Sequence, residues 1–122
     1  MATHSDYSFK QTQIVPAGAS GLTGQISFRM DLFRSGILIT PAALDATTKI
    51  AFQVSYDDGT NFVDLRSASN VLEEITVDLS ASHAYALPAD LAGARWVQIW
   101  CEAGGVFVQQ SSARTFYLLF KA

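Results

Sequence analysis

The sequence predicts an all-β fold, an antiparallel β-sandwich of the jelly-roll or immunoglobulin-like kind with about eight strands and one or two short helical turns. Three observations lead there. Hydrophobic residues recur with period two through most of the chain, the pattern of strands buried on one face. Clusters of Gly, Asp, Asn and Ser separate these stretches at short intervals. Helical signals are confined to two brief segments. A length of 122 residues suits one domain, and area scaling lets about two-thirds of its surface be buried without metal or disulfide staples. The reading assigns residues 1–7 to an N-terminal arm, polar and without alternation, and residues 8–122 to the sandwich.

Residues 9–15 open the strand series, and the Gly-containing stretch 15–24 reads as a surface loop. Ile26, Phe28, Met30 and Leu32 then face one way, with Gln25, Ser27, Arg29 and Asp31 opposite. Residues 36–40 form a further candidate. Thr40 and Pro41 resemble an N-cap with proline at the first helical position, which predicts one helical turn over 40–45. Ile50, Phe52, Val54 and Tyr56 alternate with Ala51, Gln53 and Ser55. Asp57, Asp58 and Gly59 follow as a structural turn, because Asp tolerates tight turns and Gly supplies a positive φ. Strand candidates continue at 62–66, at 75–79 through Ile75, Val77 and Leu79, and at 83–87. A second helical turn is expected at 88–93, which starts on Pro88 and ends on Gly93. Val97, Ile99 and Cys101 alternate with Trp96, Gln98, Trp100 and Glu102, and residues 114–121 close the chain. The expected core contains Ile26, Phe28, Met30, Ile50, Phe52, Val54, Ile75, Val77, Val97 and Ile99, since one face of each alternating strand is buried.

Composition narrows the function. Charged residues are 16% and hydrophobic residues 49%, which excludes a disordered or solvating chain. Nearly a third of the residues are Ala, Ser or Thr, and there are eight Phe against three Lys and three Glu. Subunit interfaces show the same bias, so the chain reads as one that hides surface in an assembly. The net charge is −3 and basic residues are scattered, which argues against nucleic acid as a partner. No apolar run approaches the ~20 residues of a membrane helix, so no membrane partner is expected. The first residues lack the charged and apolar segments of a secretory signal, and the lone Cys101 suits a reducing compartment. Synthesis in the cytoplasm is the expectation.

Catalytic and metal signals are sparse. His4 and His83 are the only histidines, no Ser or Cys sits in a nucleophile motif, and no Gly-rich phosphate loop leads into a helix. Asp57, Asp58 and Asp64 lack the spacing of a calcium loop, and one cysteine cannot build a zinc site. The expectation is a protein that is not an enzyme and uses no cofactor or metal. Candidate interface residues are Trp96, Gln98 and Trp100, which share one strand face that the core residues leave free. Either loops and Arg side chains cover them, or they anchor a subunit contact or stack on a sugar. Val106, Phe107 and Val108, in a glycine-led connection, form a second candidate patch, or the tip of an ordinary hairpin.

The segments 39–43, 50–62, 94–99 and 109–120, in this order, resemble a family of small tailed-bacteriophage virion proteins. The resemblance spans about residues 25–121 and rests on short structural motifs. It implies a β-sandwich on the virion, a capsid decoration (cement) protein. Its partners would then be the major capsid protein and further copies of itself, as a homotrimer, clamping the shell by many modest contacts. Two weaker similarities compete. Ser55, Asp57, Gly59 and Phe62 look like an Asp-box hairpin, and the same hairpin with residues 94–99 is similar to discoidin-type galactose-binding domains. The alternatives are therefore a glycan-binding module and a head–tail or tail connector.

Overall fold

The computed structural model describes residues 8–15, 26–31 and 33–121. Their strands are β1 (Ser8–Val15), β2 (Ile26–Arg29), β3 (Ser35–Ile39), β4 (Lys49–Ser55) and β5 (Phe62–Asp64). The series continues with β6 (Glu74–Ile75), β7 (Ala84–Ala86), β8 (Trp96–Ala103), β9 (Val106–Phe107) and β10 (Arg114–Lys121). A 3-10 helix, Ala89–Gly93, joins β7 to β8. The strands form a four-stranded sheet in the order β1-β10-β3-β7 and a six-stranded sheet built on β2-β8-β4-β5. In the second sheet β6 pairs with β4 and β9 with β8. Every pairing is antiparallel.

Alternation decides what lies between the sheets. Leu38 of β3 and Phe116, Leu118 and Phe120 of β10 are buried from the first sheet. Phe28, Ile50, Phe52, Val97, Ile99 and Cys101 meet them from the second. Phe120 is the hinge of this packing. Its ring stacks on Phe33 at 4.6 Å and tilts against Phe28 at 5.4 Å, a geometry that aromatic quadrupoles favour. Gly36 makes room beside it: a Cβ there would lie 2.7 Å from Leu87 Cδ1 and 3.2 Å from Phe120 Cδ1.

Of the expected core, Phe28, Met30, Ile50, Phe52, Val77, Val97 and Ile99 are buried, and Val54 and Ile75 pack half-buried against them. Leu32 and the Ile26 side chain lie outside the described residues, as do the arm at 1–7 and residues 16–24 of the expected loop. Three local expectations need correction. Tyr56 is 71% exposed, because β4 ends at Ser55 and the chain turns before its side chain can reach the core. Residues 40–45 form no helical turn. Ala43 takes a positive φ of 63°, which breaks any helix, while the Leu44 N–H bonds Leu79 O at 3.1 Å and its side chain enters the core. Residues 75–79 keep strand pairing only at their start, in β6. Val77 stays buried without a ladder, so its burial and not its backbone pairing produced the alternating pattern.

A polar clamp locks the closing strand onto the connection between β3 and β4. Buried Gln110 accepts the Asp45 N–H at 3.1 Å and Arg114 Nε at 3.2 Å, and donates Nε2 to Thr48 Oγ1 at 3.1 Å. Asp45 in turn holds the Arg114 guanidinium and the Ser111 N–H. The buried polar groups of this clamp are thereby satisfied, which burial demands.

Candidate interaction surfaces

Strands β4 and β8 are buried on both faces along most of their length. Ala51, Gln53, Gln98, Trp100 and Glu102 are buried on the side away from the core. In a half-buried antiparallel sheet this side would face water. Its side chains are ordered by register: Arg29 is opposite Trp96, Gln53 opposite Gln98, and Ala51 opposite Trp100.

Trp96 is covered locally. Arg29 Cζ lies 5.4 Å from the centroid of its ring, and the turn between β4 and β5 comes down beside it. Gly59, at φ +86°, brings its α-carbon so close that a Cβ would sit 3.4 Å from the indole. Asp57 and Ser55 build that turn. Ser55 Oγ accepts the Asp57 and Gly59 N–H groups, and Asp57 Oδ1 accepts those of Thr60 and Asn61. The Asn61 amide and side chain, with Ser55 and Thr60, hold the Asp57 carboxyl at about 2, because each bond favours its charged form. Asp58 lies beside them and accepts Arg95 Nη1 at 3.3 Å, while Arg95 also reaches Asp31 at 3.4 Å.

Gln98 donates to Gln53 at 2.7 Å, and Gln53 donates to Asp64 at 2.8 Å, a relay across β8, β4 and β5. Trp100 is only 7% exposed and its buried Nε1 has no hydrogen-bond partner. Phe107 pairs with Glu102 in the β8–β9 register and so extends the same face. Val106 is opposite Ala103 on the other side of the hairpin and is 69% exposed, and half-buried Val108 bonds Cys101 O through its N–H at 2.9 Å. The structure thus brings Trp96, Gln98, Trp100 and Phe107 to one face and sets Val106 and Val108 apart from it. Burial pushes the Cys101 thiol up to about 12, which keeps it protonated and unreactive at neutral pH.

The outer face of the four-stranded sheet is different. Tyr117 stands opposite Ile39 and Leu119 opposite Ile37, with Ala84 and Ala86 of β7 completing the same rows. Ile14 is 55% and Ile37 41% exposed. The charged side chains at the described outward positions of these strands are Lys10, which lies 4.6 Å from the Tyr117 centroid, and Lys121. No carboxylate accompanies them at those positions. Sequence reasoning passed over this face, although its signal was present. Residues 37–39 and 117–119 are apolar at consecutive positions, which gives those strands a second apolar side.

Among the described residues, no group of three His, Cys, Asp or Glu side chains could hold a metal ion. No helix is long and apolar enough to cross a membrane. Comparison with protein families, curated proteins and solved structures returned no match.

Proposed function

We propose that the protein is a structural component of a tailed-bacteriophage virion, a capsid decoration protein that oligomerises and stabilises the shell by binding capsid subunits. One observation carries this reading: the outer face of the four-stranded sheet holds an apolar block of Ile37, Ile39, Tyr117, Leu119, Ala84 and Ala86 that is partly exposed and free of carboxylates, with Thr12, Thr115 and Ser35 around it. Monomeric proteins seldom leave a contiguous apolar sheet face open, and faces of this kind serve as contacts with other proteins. The two lysines at one end suit a partner whose apolar patch is rimmed by acidic groups. Resemblance to small phage virion proteins supplies the identity of that partner. Trp96 is half-buried beside Arg29 and Gly59 and Trp100 is buried, which favours the assembly reading over a tryptophan platform for a sugar.

The test is a reconstruction of the particle whose genome encodes this chain. The expected result is density for the sandwich on the outer shell, with β3 and β10 turned toward a capsid subunit. Density at the neck or tail would make it a connector. Absence from the particle would overturn the proposal.

A further inference from the structure

The end of β8 holds a polar arrangement that capsid binding does not use. Glu102 stands opposite Lys49 in the β4–β8 register and opposite Phe107 in the β8–β9 hairpin, and it is fully buried. Its Oε1 accepts the Gly105 N–H at 2.8 Å, which ties the side chain to the tip of the hairpin. Its Oε2 is buried with no donor to satisfy it. Across β4, Glu74 of β6 stands opposite Ala51 and so shares the outer face of the sheet with Glu102, one row away. Glu74 accepts Lys49 Nζ at 3.1 Å and is partly exposed.

Two ionised carboxylates present only acceptors to each other, so a hydrogen bond between them requires a proton on one. Lys49 supplies one positive charge and balances one carboxylate. Glu74 already holds that lysine and reaches water, whereas Glu102 does neither. We propose that Glu102 is stored as a neutral carboxylic acid whose Oε2–H donates to Glu74, a one-proton latch joining β6 to the β8–β9 hairpin. Alkali removes the proton to solvent and leaves two negative charges facing each other beneath the hairpin that carries Val106 and Phe107. The charged and polar groups around Glu102 among the described residues are Lys49 from β4, Glu74 from β6 and the Gly105 amide; the one other titratable side chain of the hairpin is the buried Cys101 thiol beside it on β8, which points to the core. Burial raises the Glu102 carboxyl above its ordinary range, and the Glu74 charge adds to that rise.

The linkage has a definite sign. Between the ordinary carboxylate value and its raised value, Glu102 binds more protons in the folded than in the unfolded chain. Its contribution is therefore complete below the ordinary value and is lost as pH rises through the raised one.

The chain contains three glutamates, Glu73, Glu74 and Glu102, so the full-length protein labelled with 13C-glutamate shows three side-chain carboxyl resonances. The Glu102 resonance, recognised by its loss in Glu102→Gln, is expected to keep its acid form above the ordinary carboxylate value. In Glu74→Gln its midpoint should fall by about one unit or more, a tenfold loss of proton affinity, because the charged neighbour is gone. The thermal midpoint of the native chain should decline relative to Glu102→Gln, whose carboxamide donates to Glu74 at every pH, as pH rises from the ordinary carboxylate value through the raised one. If Glu102→Gln does not fold, Glu73→Gln and Glu74→Gln assign the three resonances by elimination. A Glu102 carboxyl that ionises at the ordinary carboxylate value overturns the proposal, as does a midpoint unmoved by Glu74→Gln.

Discussion

At the residue scale, the indole of Trp100 is enclosed on the outer side of β8, opposite a methyl side chain at Ala51. Truncating it empties a volume within the fold instead of baring a contact. Trp100→Ala should therefore cost about 3–5 kcal/mol, the range for removing a large buried aromatic, measured by urea unfolding. A loss under about 0.5 kcal/mol would mean that the site tolerates the change as an exposed surface does. The sequence showed that both faces of residues 96–101 are apolar, but not which face is closed. Covering depends on Arg29 and on the turn at 57–60, which are distant from Trp96 in sequence and reach it only through the register. Conversely, Ile37 and Leu119 look like core residues by type, and only the pairing with β7 and β10 shows that they point away from the core.

At the scale of single elements, the turn between β4 and β5 shows what local chemistry makes legible. Asp57 and Gly59 mark it in the sequence because their roles are satisfied within a few residues, by Ser55, Thr60 and Asn61. Gly59→Ala forces a side chain into a positive φ and against the Trp96 ring, so it should cost at least about 1 kcal/mol. A thermal midpoint equal to that of the native chain would contradict this. Asp57 gives the turn a pH dependence of the opposite sign to that of Glu102. Its carboxyl is depressed to about 2, so its contribution is complete above the ordinary carboxylate value and lost as pH falls through about 2. Asp57→Asn should lower the thermal midpoint at neutral pH, with the difference from the native chain vanishing in strong acid. The stretch at 40–45 was less legible. Its Thr-Pro start satisfies the rules for a helix N-terminus, but the need to place Leu44 in the core and to bond Leu79 overrides them. Tertiary contacts outweigh a propensity worth only tenths of a kcal/mol per residue.

For the whole molecule, the two sheets differ in what lies outside them. The six-stranded sheet buries its outer row of Gln98, Gln53, Trp100 and Glu102, and internal hydrogen bonds satisfy much of that row. The four-stranded sheet exposes Ile14 and Ile37 beside Tyr117 and Leu119, with no comparable polar network across the described face. An assembly gains most by covering the second face, since that removes apolar area from water at ~25 cal/mol per Å² without breaking existing hydrogen bonds. The double variant Ile14→Glu with Ile37→Glu tests this. Both side chains already reach solvent, so each exchange should change folding stability by about 0.5 kcal/mol or less. A carboxylate set into an apolar contact must be desolvated without a partner, a penalty large enough to abolish binding. The variant should melt close to the native temperature and yet fail to cosediment with particles stripped of the native chain. Native-level binding by the folded variant would move the contact to another surface, with the exposed Val106 of the β8–β9 hairpin the next to be changed.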